Sequence, residues 1–328
     1  MRPKKHGFRW GTRFDSEPPR ATHPRNVGAD AFWNERYTLV STMPGVEAAT
    51  KVGPVLADAL AFFGDPAGRT LVDLGCGNGK ASLVFARLGA RVIAVDSSSV
   101  AIENLSHFCT ENRITNLEPV CASAFDVASH GPADLVFGSM ILHHLEPFTE
   151  FGLVLRTLMK ADAKAFFHEN NGRNPLLMLL RKHVVGRFGV PKHGDPEEWP
   201  LTPQEIDTLR RYFCVRVAYP ELLLMRLAGA YLLGGHLQRP LGWVDANLYR
   251  IPLLRKHGYR QYVYLERARR NRACADEDGT IVHVSEPFDG VHKGSSVAPV
   301  RVQGWASARK LRKLRGRASR RPSGRHVI

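Results

Sequence analysis

The sequence predicts an α/β fold in which a mostly parallel sheet carries helices on both faces. Three observations predict it. Apolar runs of strand length alternate with amphipathic segments of helix length. The connections between them are short, as in successive strand–helix–strand units. A glycine-rich turn, Gly75-Cys76-Gly77-Asn78-Gly79, comes directly after the first apolar run and opens a helical segment. Right-handed crossovers leave few topologies for such a chain.

The elements run in order along the chain. Residues 31–63 read as helical, opening with AFWNERY. TLVDL (70–74) is a short buried strand, and GKASLVFARLG a helix stopped by Gly89. RVIAVD (91–96) is the next strand. SSSVAIENLSHFCTEN begins with serines suited to an N-cap and continues as a helix. LEPVCAS and ADLVFGSM (133–140) are the third and fourth strands. PFTEFGLVLRTLMK is a helix with Pro147 at its start. AKAFFHEN (163–170) is the fifth strand. NPLLMLLRKHVVGRFG and TPQEIDTLRRYF are helices, the second with Thr202 as its cap. CVRVAYP and YRQYVYLERA are two further strands. Between these two, residues 220–258 are apolar and helical in pattern. An insertion next to strand ends can cover a pocket, or it can simply add core.

Three parts are expected: an irregular basic arm at 1–30, a catalytic domain at 31–267, and an extension at 268–328. Within the extension, RARRNRACADEDG is polar and linker-like. Residues 280–306 alternate and carry turn signals, as three short strands would. Their P-x-D-G turn and later V-x-V-x-G-W-A resemble the opening of small β-sandwich modules attached to bacterial surface-glycan enzymes. The remaining stretch, SARKLRKLRGRASRRPSGRHVI, is too basic and too poor in large apolar residues to fold alone.

The formal charge of +15 on 328 residues looks at first like that of a nucleic-acid binder. It is concentrated at the ends. Residues 301–328 hold ten Lys or Arg and no acid, and residues 1–25 hold seven basic and two acidic groups. The body between them is near neutral. A basic tail can be a plain solvated segment, or can touch RNA or an anionic membrane surface. The five cysteines form no C-x-x-C pair and stand in no zinc spacing, which argues against a metal site and a disulfide framework. MRPKKHGFRWGTRF has no apolar core behind it and does not read as a secretory signal. The most apolar later stretch, 221–237, is broken by Arg226 and falls short of the ~20 residues that span a bilayer. The expected location is a reducing cytoplasm.

The glycine turn carries the chemistry. Glycines let a ligand approach the backbone closely, and the helix after them offers free N–H groups. Dinucleotide enzymes space this turn G-x-G-x-x-G, with a pyrophosphate on the helix N-terminus. Here it is G-x-G-x-G, and Lys80 occupies the third-glycine place. Asp73, two residues before Gly75, is unhelpful beside a pyrophosphate but suits a ligand with an ammonium group. S-adenosylmethionine has an ammonium, a sulfonium and an adenosine, and no phosphate. Asp96, ending the second strand, is placed to bond ribose hydroxyls; it would serve NAD equally well.

VDLGCGNGKASL, VIAVDSSSVAIENL and ADLVFGSMILHHL together resemble the class I S-adenosylmethionine-dependent methyltransferases of the broad small-molecule group. The resemblance covers residues 65–170, and the order of later elements fits to about residue 267. It implies a Rossmann-like, doubly wound, seven-stranded sheet with an antiparallel last strand. It also implies that Asp73, Gly75, Cys76, Gly77 and Gly79 line the methionine end, with Gly138 of the fourth strand facing it. Asp96 would hold the ribose and Ser97 would sit beside the adenine. After the third strand the family has an acid and then a small residue near the adenine amine. Here Ser123 and Ala124 stand there, with Asp126 as the alternative.

On the acceptor side, GSMILHHLEP places His143 and His144 after the fourth strand. A neutral histidine is a suitable general base, and His144 is favoured on position. A histidine here can equally brace the loop. FFHENNGRNP offers Glu169 as a second base or an orienting group, and Arg173 as a clamp for an acidic substrate. Asn171 or Asn174 can instead cap the next helix. Trp33 and Tyr37 are either a lid over the cofactor or plain core aromatics.

The favoured function is methyl transfer to a small-molecule acceptor: a hydroxyl on a sugar or glycolipid, a quinone or a secondary metabolite. RNA or protein methylation through the basic tails and a scaffold with a vestigial cofactor fold stand as alternatives. Asp73 and Lys80 disfavour a NAD-dependent oxidoreductase. Peripheral membrane contact stays open, and the sequence is silent on oligomeric state.

Overall fold

The apolar runs become a seven-stranded sheet in the computed structural model, which describes residues 29–39, 52–183, 199–233, 235–267, 274–275 and 281–282. The strands are β1 (Thr70–Leu74), β2 (Arg91–Asp96), β3 (Leu117–Cys121), β4 (Ala133–Ser139), β5 (Met159–Asn170), β6 (Phe213–Ala218) and β7 (Arg260–Arg267). Their spatial order is β3-β2-β1-β4-β5-β7-β6. The first five pair in parallel, and β7 runs antiparallel to both β5 and β6. The seven-stranded sheet with its antiparallel last strand is thus present.

The helices are α1 (Ala29–Leu39), α2 (Pro54–Phe63), α3 (Lys80–Arg87), α4 (Ser99–Glu111), α5 (Phe148–Leu158), α6 (Pro175–His183) and α7 (Pro203–Leu209), then α8 (Leu224–Leu232), α9 (Gln238–Leu248) and α10 (Pro252–Arg255). A pair of two-residue strands, β8 (Cys274–Ala275) and β9 (Ile281–Val282), runs antiparallel. The basic arm up to residue 28 and everything past residue 282 lie outside the described residues. The expected β module at 280–306 and the basic tail fall almost wholly there.

Strand alternation divides the core into two layers. Val72, Leu74, Val136 and Phe167 face α5 and α7. Leu71, Leu135, Phe137 and Phe166 face α2, α3 and α4. Phe137 and Phe166 stack across adjacent strands with centroids 6.0 Å apart and planes 8° apart. Burying each such ring contributes about 2–3 kcal/mol. The same period of two puts Asp73 on the face of Leu71, under α3.

Caps close the helices as their residues suggest. Thr202 and Glu205 form a reciprocal capping box on α7. The Ser98 side chain accepts the Ala101 N–H at the start of α4. Asp245, buried on α9, accepts the N–H groups of Met225 (2.9 Å) and Arg226 (3.0 Å), two otherwise orphaned donors of α8. The insertion leaves Trp243 70% and Leu253 72% exposed. No helix among the described residues is long and apolar enough to cross a membrane.

One expectation is overturned. Cys214 on β6 is disulfide-bonded, although the cysteine spacing argued against a disulfide framework. Spacing rules detect local clusters only; they are blind to sulfurs that the fold brings together from distant segments.

Candidate active site

The strand-to-helix turn after β1 is built from glycines in left-handed conformations. Gly75 has φ +65° and Gly77 φ +53°. A Cβ on Gly75 would meet the Ile141 side chain at 2.8 Å, and one on Gly77 would collide with the Tyr37 hydroxyl. No other residue fits either position without strain. The turn is pinned to the neighbouring strand by two bonds. The N–H groups of Gly75 and Cys76 both donate to the Val95 carbonyl, at 2.9 and 3.0 Å.

Asp96, at the end of β2, ties the turn to the next helix. Its Oδ2 accepts the Gly77 N–H at 2.8 Å and its Oδ1 the Ser98 N–H at 2.9 Å. Ser98 in turn donates its hydroxyl to Asn34 Oδ1 on α1 at 2.7 Å. This bond docks α1 so that Trp33 and Tyr37 close one side of a cavity. Burial raises the Tyr37 hydroxyl above its ordinary pKa, and the nearby Asp96 adds to the effect, so it stays protonated.

The cavity has a volume of about 400 Å³, within the usual range for small-molecule sites. Of the expected cofactor residues, Gly75, Asp96, Ser97, Ser123 and Ala124 line it, as do Trp33, Tyr37 and His144. Gly77 and Gly79 shape the turn from behind, Gly79 against Leu105. Gly138 packs between Phe167 and Ile141. The Cys76 thiol is raised well above its ordinary pKa, by burial first and then by Asp73 and Asp96. It is therefore no thiolate at neutral pH.

Asp73 sits elsewhere than its expected role suggests. It is 2% exposed and accepts the Ser82 hydroxyl of α3 at 2.5 Å. Burial pushes its carboxyl up to about 7, against the lowering effect of the Ser82 bond and with help from Asp96. Asp126 is exposed, and Ser123 Oγ accepts the Phe125 N–H at 3.2 Å. Neither places a carboxylate on the adenine side.

On the acceptor side the two histidines separate. His143 is buried, with Nδ1 2.6 Å from Glu169 Oε2. Glu169 itself is fully buried; its Oε1 also accepts the N–H groups of Ile141 (2.9 Å) and Leu142 (2.7 Å). Glu169 does not line the cavity, so in this structure it braces the turn after β4. His144 faces the cavity, tilted 40° against the His143 ring with centroids 4.1 Å apart, and edge-on to Trp33.

Arg173 is exposed and does not line the cavity. Asn174 Oδ1 accepts the Leu177 N–H and so caps α6. Asn171 Nδ2 donates to the carbonyls of Lys256 and Gly258, tying the end of the insertion to the sheet. No described residue of α8, α9 or α10 lines the cavity.

Sequence reasoning missed three positions that organise the site: Asn34, Ser82 and Arg260. Asn34 stood inside a segment already singled out, between the two aromatics. Ser82, small and polar in an otherwise apolar helix stretch, was the only hint of a partner for Asp73. Arg260 gave no signal, because its neighbours here are some 90 to 120 residues away in sequence.

Residues 71–160 match the methyltransferase domain family. Over 154 residues the chain is 31% identical to a ubiquinone biosynthesis O-methyltransferase of Paraburkholderia xenovorans, covering 46% of this chain and 66% of that one. It is 34% identical over 142 residues to a protein of the same name from Caulobacter vibrioides, covering 42% and 56%. The matched regions therefore span less than two thirds of these relatives. A phosphoethanolamine N-methyltransferase 2 of Haemonchus contortus, solved with S-adenosylmethionine, aligns at 13% identity with a TM-score of 0.49, over 74% of this chain and 60% of that one.

Proposed function

We propose, on the premise that residues 71–160 form a class I S-adenosylmethionine-dependent methyltransferase domain, that the protein methylates a hydroxyl of a small molecule. A phenolic hydroxyl of a quinone precursor is the first acceptor class to test, in keeping with the names of the relatives. One observation carries the reading: His144 opens into the same cavity as Gly75 and Asp96.

The site fits the cofactor where the structure can be tested for it. The glycine turn reaches the cavity through Gly75, whose positive φ and close contact with Ile141 leave no room for a side chain. Asp96 presents a carboxylate to the cavity at the end of β2, the place from which ribose hydroxyls are bonded. Ser97, Ser123 and Ala124 would flank the adenine, with Gly75 towards the methionine end. S-adenosylmethionine, when bound, supplies an electrophilic methyl on a sulfonium.

The chain's own work is placement and proton removal. Trp33 and Tyr37 exclude water from one side. His144 would take the hydroxyl proton of the acceptor, which needs a neutral imidazole within hydrogen-bond reach. Glu169 and His143 hold the backbone on which His144 is carried, which keeps the base near attack geometry. The buried Asp73 carboxylate would favour a cationic ligand across the glycine turn.

The test is calorimetric titration with S-adenosylhomocysteine, with NADH as control, and then mass spectrometry of 3,4-dihydroxybenzoate and short-chain polyprenyl catechols incubated with S-adenosylmethionine. Micromolar binding of S-adenosylhomocysteine alone, lost in Asp96→Ala, and a mass gain of one methylene are expected. Unchanged binding in Asp96→Ala would sink the cofactor assignment.

A further inference from the structure

Ser139, His168 and Arg260 lie on three adjacent strands, on one face of the sheet. Ser139 ends β4 and pairs directly with His168 on β5. His168 pairs with Tyr262 on β7, and Arg260 stands two residues before Tyr262. The strand period of two therefore turns all three side chains to the same side. Ser139 Oγ lies 3.0 Å from His168 Nδ1, and Arg260 Nη1 lies 3.3 Å from His168 Nε2. Arg260 is held there by Met140 Sδ, 3.3 Å from the same nitrogen, and by the Tyr259 ring, 5.0 Å from its Cζ.

The donor inventory decides the direction of this chain. A guanidinium can only donate. His168 Nε2 must then be the accepting nitrogen. In a neutral imidazole the other nitrogen carries the proton, so Nδ1–H donates to Ser139 Oγ. The Ser139 hydroxyl proton is left to point elsewhere, and Ser139 lines the cavity. We propose that Arg260 and His168 are positioning residues that lock Ser139 as a hydrogen-bond donor into the cavity, for a carboxylate or hydroxyl oxygen of the bound molecule.

The neutral state that this needs is stable. Burial first and then the Arg260 charge hold His168 down at about 4, against a weaker upward pull from Glu169. His168 thus keeps one proton throughout the neutral range. A change of tautomer, rather than a change of charge, is the only way the direction can reverse.

The tautomer lock is independent of what the protein catalyses; the identity of the oxygen rests on the methyltransferase reading. The full chain is labelled with ¹⁵N-histidine, and the two ring nitrogens of His168 are identified by comparison with His168→Gln. The expected wild-type signature is a protonated Nδ1 and a bare Nε2 from pH 6 to 8. Arg260→Lys, also a pure donor, keeps it, and Arg260→Met shifts the ring towards Nε2–H. A wild-type Nε2–H ring, or an Arg260→Met ring that does not change, overturns the lock whether or not the protein transfers methyl groups.

Ser139→Ala then locates the oxygen. Loss of one hydrogen bond weakens binding about five- to tenfold. Weaker binding of S-adenosylhomocysteine places the oxygen on the cofactor. Unchanged binding with a raised KM for the catechol that is turned over places it on the acceptor. A Ser139→Ala protein that changes in neither respect refutes the donor role.

Discussion

Asp73→Asn is expected to make the protein more stable at pH 8 while weakening its hold on the cofactor. The substitution keeps an oxygen to accept the Ser82 hydroxyl, at 2.5 Å in the wild type, and removes only the charge. In the folded protein the Asp73 carboxyl ionises at about 7 instead of 3.8, because it is buried. Between those two values the folded state binds the extra proton, so stability falls as pH rises through that window and levels off above 7. A shift of this size is worth about 4 kcal/mol in full, of which about 2–3 kcal/mol develops between pH 5 and pH 8. His168 slopes the other way in acid, but it is common to both proteins and cancels in their difference. The assay is urea unfolding of the two proteins at pH 5, 6, 7 and 8. The Asp73→Asn protein should gain on the wild type at each step. Parallel curves across the series would show that the buried carboxylate carries no such penalty. Calorimetry on the same samples should show S-adenosylhomocysteine binding weakened by about threefold, the scale of a negative charge lost near the ligand but not in contact with it. Full affinity would refute the claim that a cationic ligand relieves the strain of this charge.

Further outcomes rest on the same geometry. Gly77→Ala should abolish S-adenosylhomocysteine binding, since its Cβ has no room beside Tyr37 and φ is +53°; shortening the tyrosine in Gly77→Ala/Tyr37→Phe relieves the clash but not the strained φ, so binding should return only in part. His144→Gln should lower kcat by about 10²–10⁴, the usual share of a general base, and erase the acid limb of the pH profile. Glu169→Gln should lower thermal stability, because His143 and two backbone N–H groups lose a charged acceptor, yet leave the shape of that pH profile in place; a profile that moved with Glu169 would make it the base. In the Asp73→Asn protein, where the opposing Asp73 slope is gone, stability should fall from pH 6.5 towards pH 4, because the unfolded chain takes up a proton that the folded His168 refuses until about 4; adding His168→Gln to that protein should flatten this stretch of the curve.

The sheet, the glycine turn and the acid that ends β2 are legible in the amino-acid order alone. These are local: period-two apolar runs, positive φ at glycine and a strand end can each be read within a few residues. The sequence also brought His144 and Glu169 forward as candidates, because polar groups at the carboxyl ends of strands fall on one edge of such a sheet, and Trp33 and Tyr37 through the resemblance of their segment to a lid. It left open which way each side chain points. Asp73 and Glu169 share a chemistry and both stand near strand ends. Packing buries both, one against Ser82 on α3 and the other beneath the turn that carries His144. The contact of Arg260 with His168 depends on antiparallel strands that lie far apart along the chain. Only the tertiary structure decides those pairings, because the free energy that sets them comes from burying two sheet faces at once, and no stretch of sequence contains both faces.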